Sequence, residues 1–250
     1  MQGNFILSDM NSTLKSAADP MGAAIYDYHK YGKADTLIVH SSMFEDDEIP
    51  VADLFREIGQ MPELEQMAMH LASGRILDVG AGAGCHSLAL KQLGKDVLAV
   101  DISPLSVKTM NERGVEACEI NFYDESFTEK FDTVLMLMNG TGIIGTLDNI
   151  DTYFERLKQL LNPGGKVLID SSDLRYLFEE EDGSLMIDLA DDYYGQLDYQ
   201  MEYKGILGEP FDWLYLDFQT LSYYAEEHGF TAELISQGEH YDYLASLSIN

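Results

Sequence analysis

Apolar positions change their period along this chain, and the changes predict its elements. From Arg75 onward, short apolar or β-branched runs alternate with helical stretches. Arg75 to Val79 reads as a buried strand, Cys85 to Leu93 as a helix behind a glycine-rich turn, and Asp96 to Val100 as a second strand ending at Asp101. Ser103-Pro104 supplies an N-cap with proline at the first helical position, and Gly114 stops that helix. Val115 to Ile120 is a third strand. Phe131 to Met138 is a fourth, with the continuous apolar character of a strand covered on both faces. Ile150, Tyr153, Phe154, Leu157, Leu160 and Leu161 recur at helical spacing until Asn162-Pro163-Gly164-Gly165 ends the helix. Lys166 to Asp170 predicts a fifth strand and Phe218 to His228 a helix. Thr231 to Gln237 and Tyr243 to Ile249 predict two antiparallel strands. Strand–helix alternation with short links implies a parallel sheet with right-handed crossovers.

Two regions exceed this core. Residues 1–74 are about half helical in pattern, over Gly22 to Tyr31, Val51 to Ile58 and Pro62 to Ala72. Residues 171–217 hold acidic stretches at Glu179 to Asp182 and Asp191-Asp192, and a predicted hairpin pairing Tyr199 to Lys204 with Trp213 to Leu216. No repeat, low-complexity tract or linker divides the chain. The expectation is one domain over 1–250: an N-terminal helical elaboration (1–74), a binding core (75–170), an insertion (171–217) and a C-terminal helix with its strand pair (218–250).

Charge narrows the partners. The 250 residues carry 44 Asp and Glu against 15 Lys and Arg, a net −29, while 46% hydrophobic content is ample for a packed core. Affinity for nucleic acid comes from Lys and Arg displacing counterions, and here no stretch clusters even three of them, so nucleic acid is excluded as a partner. With five arginines (Arg56, Arg75, Arg113, Arg156 and Arg175), the field suits an amine or neutral ligand better than a polyanion. Phe5-Ile6-Leu7 is too short for a signal-peptide core and nothing approaches the ~20 apolar residues of a membrane span, so a cytoplasmic protein without membrane contact is expected. Cys85 and Cys118 both read as buried free thiols. No His, Cys, Asp or Glu cluster has metal-ligand spacing, and no metal is expected.

The most informative stretch runs from Ile76 to Ser87, leaving a strand, turning on Gly80, Gly82 and Gly84, and entering a helix. Glycine permits positive φ and close approach to a ligand, and the helix N-terminus offers unpaired N–H groups. A G-x-G-x-x-G dinucleotide pattern needs its third glycine at Cys85 or Ser87, and a Walker loop needs a Gly-Lys-Ser/Thr ending; both are missing. What remains is Asp-x-Gly-x-Gly-x-Gly, in which Asp78 suits a ligand with a cationic head and repels a pyrophosphate.

Here the chain resembles the class I S-adenosylmethionine-dependent methyltransferases, first in Ile76 to Gly84 (ILDVGAGAG). Asp101 ends the second strand where these enzymes place the acid that binds the ribose hydroxyls, and Asp101-Ile102-Ser103-Pro104 is similar to their acidic-apolar-Ser-Pro turn, with Ile102 beside the adenine face. Leu161 to Gly165 resembles their L-x-P-G-G. Together these cover Arg75 to Asp170. The resemblance implies a Rossmann-like, seven-stranded, mostly parallel sheet with helices on both faces and the last strand antiparallel, extended by the helical cap and the hairpin insertion. It implies S-adenosyl-L-methionine as cofactor, contacted by Asp78, Gly80, Gly82, Gly84, Asp101, Ile102, Asn121, Phe122, Met138 and Asn139. One departure stands out: where the family often has an Asp beside the adenine amino group, this chain has Asn121, with Asp124 as the other candidate.

The implied reaction is in-line methyl transfer to a small-molecule acceptor, in which the protein chiefly aligns reactants. Candidates for direct chemistry are His86, Asn139 and Asp173. His86 equally reads as a residue tucked against the sheet, and Ser171-Ser172-Asp173 either contacts the acceptor or caps a helix, the commoner role for Ser and Asp. Tyr26, Tyr28, His29 and Tyr31, with Asp19 to Gly22, lie on the N-terminal elaboration and close over an acceptor or serve packing. Trp213 and Tyr215 line a lid or anchor a core. The elaborations equally suit a homodimer interface. Two other readings share the glycine turn and Asp101: an NAD-dependent oxidoreductase, and a non-catalytic module that binds S-adenosylmethionine or a protein partner.

Overall fold

The computed structural model describes residues 13–178 and 193–249, so Phe5 to Leu7 and the acidic stretches Glu179 to Asp182 and Asp191-Asp192 lie outside the described residues. In chain order the elements are α1 (Pro20–Tyr31), β1 (Leu37–His40), β2 (Asp47–Ile49), α2 (Glu63–Leu71), β3 (Arg75–Val79), α3 (Cys85–Gln92), β4 (Asp96–Asp101), α4 (Pro104–Glu112), β5 (Ala117–Glu119) and β6 (Phe131–Met136). Then follow α5 (Ile150–Leu160), β7 (Leu161–Ser172), β8 (Gln196–Tyr203), β9 (Ile206–Leu207), β10 (Phe211–Leu214), α6 (Phe218–Glu227), β11 (Phe230–Gln237) and β12 (Asp242–Ile249).

Seven strands form the main sheet in the order β11-β12-β7-β6-β3-β4-β5. β3 to β7 run parallel, and β12 is antiparallel to both neighbours, which makes the last strand the reversed one. The strand order turns at β3, with β4 on one side and β6 on the other, so the carboxyl ends of these strands border the crevice where ligands bind in such sheets. β3, β4 and β6 are buried almost throughout, which explains their unbroken apolar sequence. On α5, Ile150, Tyr153, Phe154, Leu157 and Leu160 are buried against one face of the sheet. The same helix buries Arg156, whose guanidinium donates to the carbonyls of Phe122 (2.6 Å), Asp124 (2.8 Å) and Phe127 (2.8 Å) and fixes the loop leading into β6.

In the N-terminal region two of the three expected helical stretches form, as α1 and α2, but this region and the insertion also share a sheet. β1 and β2 from the N-terminal segment join β8, β9 and β10 from the insertion in a second, antiparallel sheet, ordered β10-β8-β1-β2 with β9 on β8. β8 and β10 do form an antiparallel pair, but in a register shifted from the expected hairpin, with Phe211 opposite Tyr199 and Trp213 opposite Leu197, and Gln200 to Glu202 pair on the other edge of β8 with β1. Val51 to Ile58 is two short 3₁₀ turns, Val51–Phe55 and Ile58–Gln60, because Arg56 and Glu57 between them are extended. The third strand shortens to Ala117–Glu119 and the fifth lengthens to Leu161–Ser172, absorbing Asn162 to Gly165 through an irregularity opposite Phe131. Cys118 is exposed rather than buried, since β5 is an edge strand and its side chain points to solvent; Cys85 is buried as expected.

Helix α1 ties the two sheets together. Asp19 caps α1 by accepting from the Gly22 N–H (2.9 Å) and also accepts from Ser103 Oγ (2.6 Å), which caps α4 through the Ser106 N–H (2.9 Å). A side chain at Gly22 would overlap both Asp19 and Ser103, so only glycine allows this double cap to close. Among the described residues, no helix is long and apolar enough to cross a membrane.

Candidate active site

The glycine loop leaves β3 with positive φ at Gly80, Gly82 and Gly84. The N–H groups of Gly80 (2.9 Å) and Ala81 (3.2 Å) donate to the Val100 carbonyl, pinning the loop to β4. Gly82 at φ +56° turns its N–H onto Asp101 Oδ2 (2.8 Å), a conformation that a β-branched residue could hold only under strain. Ile143, in the turn after β6, lies beside Gly80 and Ile25 of α1 beside Gly82, so the loop is bordered by the core on one side and the N-terminal region on the other.

Asp101 is the pivot. Its Oδ1 accepts from the Ser103 N–H (2.8 Å) while Oδ2 takes Gly82, leaving one further lone pair on each oxygen. Burial pushes its pKa up to about 6 against the pull of these two N–H donors, with the charges of Asp19 and Asp78 adding to the rise. On either side of β3 two apolar side chains stay open at strand ends, Ile102 at 37% exposure after β4 and Met138 at 38% after β6. A carboxylate with paired free acceptors between apolar walls, beside a backbone loop, fits a ribose carrying a base.

The turn after β6 is strained. Met138 (φ +66°) and Asn139 (φ +60°) are consecutive non-glycine residues in the left-handed region, held there because Asp170 accepts from the N–H groups of Met138 (3.1 Å) and Gly140 (2.9 Å). Burial raises Asp170 to about 6. Ser172 Oγ donates to Asn139 Oδ1 (3.0 Å), which fixes the amide at the rim. Asp170 was not among the sequence candidates; its signal was an acid at the end of an otherwise apolar strand.

Beneath the loop lies a buried ionic chain. His86 Nε2 pairs with Glu65 Oε2 (2.8 Å) from α2, and the other Glu65 oxygen pairs with Arg56. Asp78 is buried beside them and accepts from Ser87 Oγ (2.6 Å). Burial pulls the His86 pKa down, but the Glu65 hydrogen bond and the Asp78 and Glu65 charges outweigh it and the net shift is upward. Burial raises Asp78 despite the His86 charge and the Ser87 bonds. His86 is therefore buried and paired from two sides of this chain. Glu65 and Arg56 escaped sequence reasoning because their partner lies on another helix.

The remaining candidates are distributed around the rim. Asn121 Oδ1 accepts from the Tyr123 N–H (2.9 Å), and Phe122 is core, its carbonyl held by Arg156. Asp173 is engaged by the Arg175 guanidinium (2.6 Å) and by Tyr194 Oη (2.8 Å). Ser171 Oγ meets Thr141 Oγ1 (2.6 Å) and accepts from the Leu216 N–H (3.0 Å), stitching the end of the second sheet to the rim. Tyr28 packs on Phe55 (4.6 Å), Tyr26 receives Lys108 Nζ (3.0 Å), His29 pairs with Glu112 and Tyr31 points to solvent. These four belong to helix packing and surface. Trp213, by contrast, lies directly on Gly142, where any side chain would overlap the indole.

Known proteins resemble this chain in sequence and in fold. A family model described as a methyltransferase domain matches residues 76–165. A crystal structure of an S-adenosylmethionine-dependent methyltransferase from Bacteroides fragilis, in complex with S-adenosyl-L-homocysteine, is 58% identical and superposes with a TM-score of 0.92 over 96% of this chain and 99% of that one. A cypemycin N-terminal methyltransferase from Streptomyces sp is 33% identical over 102 residues, 39% of this chain and 42% of that protein. A ubiquinone biosynthesis O-methyltransferase from Xanthomonas oryzae is 28% identical over 111 residues, 41% of this chain and 45% of that protein. The chain therefore matches less than half the length of these two curated relatives.

Proposed function

The chain belongs to the class I S-adenosylmethionine-dependent methyltransferases, and from that premise we propose that it binds S-adenosylmethionine between the glycine loop and Asn139 and methylates a small-molecule acceptor at the rim of β6 and β7. The observation that carries this reading is Asp101, held by Gly82 and Ser103 with one free acceptor site on each oxygen. When bound, S-adenosylmethionine supplies a methyl carbon made electrophilic by the adjoining sulfonium.

The chain's own residues bind and align. Asp101 accepts the two ribose hydroxyls, and Ile102 and Met138 flank the adenosine with apolar surface. Asn121 and Phe122 sit at the adenine edge, with the loop fixed by Arg156. Asp78 places negative charge under the glycine loop for the amino-acid end, and Gly80 to Gly84 keep the backbone open to approach. Asp170 and Ser172 hold Met138 and Asn139 in the strained turn that borders the methyl group. Such alignment supplies roughly 7–11 kcal/mol of barrier lowering without a protein nucleophile. His86 and Asp173, each closed in an ion pair, act structurally. An NAD reading fits less well: the third glycine it needs falls on Cys85, whose buried thiol fills that helix start.

Calorimetric titration with S-adenosyl-L-homocysteine tests the proposal. One site per chain is expected. Absence of binding, with NADH bound instead, overturns it.

A further inference from the structure

One side of the second sheet is aromatic, while Leu214 and Leu216, alternating with its rings, are buried in the main core. Phe211 and Trp213 on β10 point to the same side as their β8 partners Tyr199 and Leu197, and Trp213 rests on Gly142, three residues beyond Asn139. Phe211 stands edge-on to Tyr199 (6.2 Å) and to Trp213 (6.0 Å), and the Tyr199 and Tyr215 hydroxyls meet at 3.2 Å. All four rings are only partly buried. The face is fastened over the rim, because Thr141 Oγ1 donates to the Leu214 carbonyl (2.8 Å) and the Leu216 N–H donates to Ser171. On the same side, pairing through Val39 and Met201 brings in Asp47 of β2, whose charge is felt by both Tyr199 and Tyr215. Five lysines or arginines stack on rings among the described residues, and none of those rings belongs to this group.

We infer that this roof of Tyr199, Phe211, Trp213 and Tyr215, with Asp47, selects an amine as the methyl acceptor. The inference rests on the methyltransferase reading above and adds the acceptor class. A carboxylate acceptor would enter a site edged by Asp47 with no unpaired cation against the rings. A phenol, alcohol or thiol must lose a proton to a base as it attacks, and three titratable groups at the crevice are engaged elsewhere: His86 with Glu65, Asp173 with Arg175 and Tyr194, Asp170 with two backbone N–H groups. A neutral amine needs no base before attack. Its lone pair forms the N–C bond while the C–S bond breaks with its electron pair left on sulfur. The positive charge passes to nitrogen, and an N–H proton then leaves to solvent. Ring faces and a carboxylate around the nitrogen stabilise that arriving charge.

The test uses Trp213, the one tryptophan in the sequence, as reporter. The full chain loaded with S-adenosyl-L-homocysteine is titrated with three isosteres and followed by tryptophan fluorescence: choline (cation), 3,3-dimethylbutan-1-ol (neutral) and 3,3-dimethylbutanoate (anion). The cation is expected to bind about ten-fold more tightly than the alcohol, with the anion weakest. Tyr199→Leu should remove most of that preference and Tyr199→Phe should restore it. Asp47→Asn should weaken the cation several-fold and leave the alcohol unchanged. Equal or tighter binding of the alcohol or the anion, or no response to any of the three, overturns the inference. Binding of S-adenosyl-L-homocysteine, measured first in each variant, reports separately on folding and on the cofactor reading.

Discussion

Replacing Asp101 perturbs the cofactor site at its pivot. In Asp101→Ala the two free acceptor sites for the ribose hydroxyls disappear, and the N–H groups of Gly82 and Ser103 lose their partners. Hydrogen bonds to a charged group contribute about 1.5–3 kcal/mol each, so two are worth about 3–6 kcal/mol, a loss of roughly 100- to 10,000-fold in affinity. Asp101→Asn keeps one acceptor oxygen but points an N–H donor at a backbone N–H, and should fall roughly 10- to 100-fold short of wild type. The pH dependence carries an independent sign. Burial lifts Asp101 and Asp170 to about 6 from 3.8, so the folded chain holds these protons more tightly than the unfolded one. Their contribution to stability of the ligand-free protein therefore falls as pH rises from 3.8 to about 6 and is level above that. Cofactor affinity, which needs ionised Asp101, should climb through the same window. Calorimetric titration with S-adenosyl-L-homocysteine from about pH 4 to 8, beside thermal unfolding of the ligand-free chain, measures both. Binding by Asp101→Ala within about three-fold of wild type, or affinity flat across that window, would refute the reasoning.

Three further outcomes follow from the same geometry. Iodoacetamide should label Cys118 quickly in the native protein and Cys85 only on unfolding, because burial raises the Cys85 thiol to about 12; comparable native rates at both would contradict the burial described. Glu65→Gln leaves Arg56 and His86 buried without their carboxylate and should cost about 3–5 kcal/mol, lowering Tm by roughly 10 °C. Since the folded His86 pKa is raised, that deficit should shrink as pH rises through it, and an unchanged Tm at neutral pH would count against the buried pair. Gly142→Ala forces Trp213 off the rim and should red-shift its fluorescence, and an unaltered emission maximum would mean that the indole sits elsewhere.

The sequence exposed the main sheet because its strands are buried on both faces and so are written as unbroken apolar runs, Val97 to Val100 and Phe131 to Met136 among them. The glycine loop and Asp101 were legible for a related reason: backbone approach and a strand-end acid leave few residue types to choose from. The second sheet was not legible. β1 and β2 are short, β8 mixes polar and apolar residues, and Val39 finds Met201 only across most of the chain. The ionic chain from Arg56 to His86 is hidden in the same way, since Glu65 looks like any acid in a first helical turn until α3 is packed against it. Cys118 was misplaced because alternation on an edge strand resembles a core strand over three residues.

The most direct measurement of the central claim is a crystal structure of the chain grown with S-adenosyl-L-homocysteine. The ribose hydroxyls are expected on Asp101, the adenine beside Ile102, and the sulfur toward Asn139 beneath Trp213. Ligand density away from the glycine loop, or a ribose that leaves Asp101 untouched, would contradict it.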